Sequence, residues 1–329
     1  MDIELRHLRV ICVIAETGSV TKAATALGLP QPALTTQLQR IERALGGRLF
    51  ERDRRGARPT ALGELVLTRA RVLIPAVEGL RDDAAQLVRT GAAMARYRIG
   101  ATNGPITGGL VQRLSGAHPG KEVSTHATWS ADELADAVHG NRLDFALIGA
   151  CADSTPAAEH GLIWRTVCVD PVWVLMHDGH PLAGRPEVAL SELAGEQWAS
   201  APGDGCFTDC FVAASARAGF TPRHIFEMDV GGCVDFVTGG AGVVLCQATF
   251  RGLAGITMVP IAGTPLRWRH LVGWHPDGVA ADAADEVVAL AVAAYEDVIE
   301  QRPAYAAWLA DHPDFGAAQR SVQIAKNID

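Results

Sequence analysis

Ser19-Val20-Thr21-Lys22-Ala23-Ala24-Thr25-Ala26-Leu27-Gly28-Leu29-Pro30-Gln31-Pro32-Ala33-Leu34, continued by Thr35-Thr36-Gln37-Leu38-Gln39-Arg40-Ile41-Glu42-Arg43-Ala44-Leu45, is the stretch that decides the reading. Ser19 is placed to cap a short helix, Val20 to Leu27, through its hydroxyl. Gly28 supplies the positive φ that a three-residue turn needs. A second helix is predicted from Gln31, because Leu34, Leu38, Ile41 and Leu45 recur at helical spacing and form one buried stripe. The opposite face carries Gln31, Thr35, Thr36, Gln39, Arg40 and Arg43, groups that read base edges and phosphates. Helix, tight turn and helix with such a face is a helix-turn-helix pattern. An ordinary helical hairpin with a solvated face is the alternative.

The flanks decide between them. Leu5, Leu8, Val10, Ile11 and Val13 supply a further helix beneath the hairpin. Downstream, Arg48, Arg52, Arg54, Arg55 and Arg58 crowd around Gly46, Gly47 and Gly56, as in a basic loop that grips the sugar-phosphate backbone. With Ala23-Ala24, Gln31 to Leu34, Ile41-Glu42, Leu45-Gly46, Leu49-Phe50, Arg52 and Thr60-x-x-Gly63, the segment resembles the DNA-binding domain of LysR-type transcriptional regulators. The resemblance implies an N-terminal, all-α winged helix-turn-helix on 1–60, with the helix-turn-helix at about 20–39. Its DNA-facing set would be Ser19, Gln31, Pro32, Thr35, Thr36, Gln39, Arg40, Arg52, Arg54 and Arg55. Two positions depart from the family pattern. Pro30 replaces a capping serine, which removes the capping oxygen but keeps a helix-compatible φ. Thr36 stands where the family often has arginine, so one long contact is missing and the operator preference does not carry over.

The chain of 329 residues is 48% hydrophobic with net charge −8, so the whole molecule does not suit indiscriminate nucleic-acid binding. The charge is divided. Residues 1–60 hold ten Lys or Arg against six Asp or Glu, and the remainder nineteen against thirty-one. A basic head on an acidic body suits a DNA reader whose body does something else. No signal-peptide pattern and no membrane span is visible, and seven cysteines without paired spacing fit a reduced cytoplasm. No CxxC, HExxH, GxSxG or complete phosphate loop occurs, so neither enzyme, metal site nor cofactor is expected.

Thr60 is placed to cap a linker helix over 61–91. Its seam Val66, Ala70, Leu73, Val77, Leu80, Ala84 and Leu87 has heptad spacing, interrupted by Pro75. Packing on its own domain is one reading of the seam; dimerisation is the other, and the resemblance implies it. From Tyr97 the pattern alternates strands and helices: strands at 97–100, 123–127 and 143–148, helices at 110–117 and 131–139. A second run follows: a strand at 172–177, helices at 190–194 and 209–218, a glycine-rich segment ending in a strand at 243–246, a strand at 271–274 and a helix at 283–301. The resemblance implies a periplasmic-binding-protein-like α/β effector domain over 92–302. Subdomain I would hold about 92–166 and 268–302, and subdomain II about 167–267. For residues 303–329 the sequence suggests no role.

Ligands of open α/β sheets bind beyond the carboxyl ends of strands. Thr102, Asn103, Thr128, Trp129, Ser130 and Gly149 fall there in the first half, and Pro202, Gly203 and Gln247 in the second. Hydroxyls and amides suit a polar or acidic small molecule. Singly, each could equally cap or turn, and Trp129 could stack a flat ligand or fill the core. Cys206 and Cys210 open a redox alternative, although no basic neighbour activates them and most buried cysteines act as small hydrophobes. The reading is a cytoplasmic dimer or tetramer on a double-stranded operator, an interrupted palindrome, switched by an effector, with RNA polymerase a further candidate partner. A solute-binding protein or enzyme with a basic head, and an effector-independent architectural DNA binder, are the rivals.

Overall fold

The computed structural model describes residues 3–53, 56–90, 96–102, 104–151, 160–203 and 206–318, within which no helix is long and apolar enough to cross a membrane. The chain divides into two compact units, a head and a body.

In the head, α1 (Leu5–Thr17), α2 (Val20–Ala26) and α3 (Gln31–Ala44) close around Ile11, Ile14, Leu34, Leu38 and Ile41, all fully buried. Ser19 accepts the Lys22 N–H as expected, and Gly28 has φ +65°. Pro30 precedes α3 without a side-chain cap. The basic loop forms a two-stranded antiparallel wing, β1 (Phe50–Asp53) and β2 (Gly56–Pro59), so the head is helical apart from this hairpin. Gly56 has φ +130°, and a Cβ there would lie 2.4 Å from the Gly18 carbonyl oxygen; the Ala57 N–H donates to that same oxygen at 2.8 Å.

Two motifs of the sequence acquire physical causes. The Glu42 carboxylate accepts the Leu49 N–H at 2.9 Å, which ties the end of α3 to the wing. Thr60 caps α4 (Ala61–Thr90) by accepting the Gly63 N–H at 3.1 Å, and it donates to the Arg48 carbonyl at 2.7 Å. A Cβ on Gly63 would meet the Leu49 oxygen at 2.1 Å, so only glycine fits.

The heptad seam divides along α4. Val66 and Ala70 join the head core, whereas Leu73 is 48% and Leu80 68% exposed. The side chains of Pro75 and Leu87 lie outside the described residues.

The body begins with β3 (Arg96–Ala101), α5 (Ile106–Ala117), β4 (Glu122–Ala127), α6 (Ala131–His139) and β5 (Phe145–Cys151), with β4-β3-β5 parallel as expected. Asp144 clasps Arg98 at 2.6 Å in a buried ion pair and also accepts the Arg98 N–H, locking β5 to β3. Then come β6 (Ile163–His177), a 3₁₀ turn (Leu190–Leu193), β7 (Trp198–Ser200), α7 (Cys206–Arg217), β8 (Ile225–Glu227) and α8 (Val230–Thr238). The rest is β9 (Val243–Gln247), β10 (Ile256–Val259), β11 (Arg267–Trp274), α9 (Ala284–Glu300), α10 (Pro303–Ala310) and β12 (Gly316–Ala317). The sheet order is β4-β3-β5-β11-β6-β9-β7-β8, with β10 and β12 also on β6. Strand β6 is the join: Ile163–Pro171 pairs with β11, and Val172–Leu175 with β9.

The glycine-rich segment is helix α8, whose N-terminus is capped by Asp229 accepting the Gly232 N–H at 2.7 Å. The described part of the C-terminal extension, up to residue 318, is integral to the body. Tyr305, Leu309 and Phe315 enter its core, Trp308 packs edge-on against Trp173, and β12 pairs with Val169 and Cys168.

Candidate functional site

On α3 the buried stripe turns Gln31, Pro32, Thr36, Gln39 and Arg40 to solvent, with Thr35 half-buried beside them. Thr36 donates its hydroxyl to the Pro32 carbonyl at 2.9 Å, and the Arg43 Nε to that of Gln39 at 3.2 Å. The side chains of Gln31, Thr35, Gln39 and Arg40 make no hydrogen bond or ion pair among the described residues, which leaves their polar groups for an outside partner. Ser19 is engaged as a cap. Arg54 and Arg55, and the side chain of Arg52, lie outside the described residues.

In the body, a cavity of about 720 Å³ opens beyond the carboxyl ends of β3 and β5 and runs beneath α7 and α8. Its wall is chiefly aliphatic and aromatic, with Trp129, Phe207, Phe250 and Trp268 supplying the rings. The Trp268 indole lies across Gly149, where a Cβ would sit 2.2 Å from its Nε1, and Phe207 meets it edge-on at 5.3 Å. Three hydroxyls of the wall are engaged internally. Thr102 accepts the Gly149 N–H at 3.3 Å, Ser200 donates to the Ala201 carbonyl at 3.2 Å, and Thr249 donates to Asp170 at 3.0 Å.

Asp170 sits on β6, fully buried. One of its carboxylate oxygens accepts from Tyr295 at 2.6 Å and Tyr305 at 2.8 Å. The other accepts from Thr249 and lies 3.2 Å from the His270 Nε2. This hub gathers β6, β11, α9, α10 and the end of β9 behind the cavity. Burial, reinforced by the Asp170 carboxylate, pushes both tyrosine hydroxyls well above their usual pKa, so they remain donors.

Residues 91–296 match the family described as LysR substrate binding domain, and residues 5–64 match the bacterial regulatory helix-turn-helix protein, lysR family. The chain belongs to the LysR family of transcriptional regulators. The small neutral protease regulatory protein of Streptomyces coelicolor is 36% identical over 315 residues, covering 94% of this chain and 98% of that one. The crystal structure of CbnR, a LysR family transcriptional regulator, superposes with a TM-score of 0.67 at 20% identity, over 90% of this chain and 99% of that one. Full-length CbnR in complex with its target DNA gives the same score and identity.

Within this LysR-type regulator, Thr102, Trp129, Gly149, Pro202, Gly203 and Gln247 line the cavity. Thr128 and Ser130 do not. Thr128 donates to Glu133 at 2.6 Å and accepts the Ser130 N–H, while Ser130 accepts the Glu133 N–H at 3.1 Å, so both hydroxyls serve the start of α6. Asn103 lies outside the described residues.

Cys210 packs toward the body core, and the Cys206 side chain lies outside the described residues. Cys233 and Cys246 line the cavity, where burial raises both thiols, Cys246 to about 12, and keeps them neutral. Sequence reasoning missed Trp268, Phe207 and Phe250, together with Arg251 and Arg302. Ring-bearing residues of a wall look like ordinary core residues until the fold leaves a void beside them.

Proposed function

We propose that the regulator binds operator DNA as a dimer or tetramer through α3 and its wing, and that a small molecule in the body cavity sets the state of the assembly. The domain limits that go with this reading are 1–60 for the head, 61–91 for the linker helix, 92–302 for the effector domain and 303–329 for the extension. The observation that carries it is the pairing of outward α3 side chains, Gln31, Thr35, Gln39 and Arg40, that have no partner among the described residues with an open cavity of about 720 Å³, large enough for a ligand. Gln31, Gln39 and Thr35 read base edges; Arg40 and the wing arginines hold phosphates. Leu73 and Leu80 supply the contact between copies. Ligand acts by population shift, binding one arrangement of the body more tightly than another. The protein works in the cytoplasm by binding, not by turnover, and RNA polymerase is the partner that reads the result.

Footprints of a palindromic operator, with and without candidate ligands, test the whole reading. Gln31→Ala should change the preferred base at one operator position, by about 1–3 kcal/mol of discrimination. Arg40→Ala should weaken all sequences alike and lower the salt slope by about one unit. Equal, sequence-independent losses from both would show that the reading face is assigned wrongly.

A further inference from the structure

The cavity is far better suited to apolar matter than its strand-end threonines, serines and glutamine suggest. With Thr102, Ser200 and Thr249 engaged in internal hydrogen bonds, the side chains of Thr208, Gln247, Arg251 and Gln301 and the indole N–H groups of Trp129 and Trp268 are polar groups of the wall without a partner among the described residues. A compact polar metabolite would leave most of the 720 Å³ facing indole, phenyl and aliphatic surface. Each of its polar groups without a partner there would cost on the order of 1–3 kcal/mol.

The charges of the wall are unequally placed. Arg251 follows Phe250, and the Arg302 Nε donates to the Phe250 carbonyl at 3.2 Å, so two guanidinium-bearing residues meet at one end. The one carboxylate of the described wall, Asp132, stands at the start of α6 beside Trp129. Apolar surface buried against this wall contributes about 25 cal/mol per Å², and a single anion at the Arg251 end gains a charge-assisted contact.

We infer that the ligand of this cavity is a bulky, ring-bearing monoanion, its rings between Trp129, Trp268 and Phe207 and its acidic head toward Arg251 and Arg302. The inference rests on the effector reading above and narrows it to a ligand class.

The full-length chain titrated with 1-pyrenebutyrate, its neutral counterpart 1-pyrenebutanol, and succinate tests it, with tryptophan-to-pyrene energy transfer reporting the pyrenes and calorimetry the succinate. Pyrenebutyrate should bind at least tenfold more tightly than pyrenebutanol, and succinate should not bind measurably. Arg251→Gln should erase the difference between the two pyrenes. Val234→Trp, which fills the cavity from α8, should weaken both at least tenfold while circular dichroism shows the chain still folded.

Succinate binding as tightly as pyrenebutyrate, equal binding of the two pyrenes, no binding of any probe, or indifference to Val234→Trp would each overturn the ligand class. A footprint that responds to succinate alone overturns the class and leaves effector control standing. Selective pyrenebutyrate binding through Arg251 without any footprint change supports the class while effector control fails.

Discussion

On α3 the amides of Gln31 and Gln39 and the guanidinium of Arg40 face solvent without partners among the described residues, above a core made of aliphatic side chains. In the body the arrangement is reversed: Asp170, His270, Tyr295 and Tyr305 converge in the interior, and the wall left for a visitor is mostly apolar. The head therefore works through atoms it holds outward, and the body through space it leaves empty. That difference explains why a motif announced the head whereas nothing comparable announced the cavity.

The largest expected break in this contrast is Asp170→Ala. It removes the acceptor shared by Tyr295, Tyr305 and Thr249 in the interior; at about 1–3 kcal/mol for each buried hydroxyl left without a partner, and with the two tyrosine hydroxyls still within reach of each other, the loss is about 3–5 kcal/mol. Calorimetry should show the body transition falling by roughly 10 °C while that of the head is unmoved. A shift shared equally by both would mean that the units do not melt separately.

Leu80→Glu tests the exposed side of α4. Leu80 is 68% exposed in the single chain, so the fold should be indifferent to the change. Burying a carboxylate between copies should instead lower the sedimentation coefficient and reduce operator affinity at least tenfold. A dimeric, fully binding variant would exclude this face from assembly.

Alkali separates the units further. The hub tyrosines are held protonated in the fold, whereas unfolded tyrosines ionise near pH 10. The hub's contribution is thus complete below about pH 10 and declines as the pH rises, by about 1.4 kcal/mol per unit for each tyrosine. Tyr305→Phe should flatten that slope, by roughly half a proton near pH 10 and approaching one proton above about pH 11. Urea melts across this range check it, and an unchanged slope would place Tyr305 outside the hub's titration.

The smallest effect is Thr102→Val, which leaves the Gly149 N–H without its 3.3 Å acceptor and should cost about 1 kcal/mol of body stability. A neutral result would show that water replaces the hydroxyl there.

Legibility followed the same division. The head could be read because Leu34, Leu38 and Ile41 repeat along one helix, and because capping by Ser19 and Thr60 is local in sequence. The first half of β6 escaped because Ile163-Trp164-Arg165-Thr166 gives no simple alternation, and α8 because Gly231 and Gly232 disguise a helix. The hub was out of reach: its bonds join residues 79 to 135 positions apart, and each member looks ordinary alone. Thr128 and Ser130 stood at the right strand end, but their hydroxyls turn to the start of α6.

The hub also orders events in time during synthesis. Tyr305, which completes the ring of donors on Asp170, leaves the ribosome roughly 200 residues after the head and its helix α4. At about 5–20 residues per second that is an interval on the order of 10 to 40 s. Throughout it the nascent chain carries a finished reading head joined to a body that still lacks its central knot. Tyr305 and the rest of α10 are therefore the last pieces of the hub to arrive.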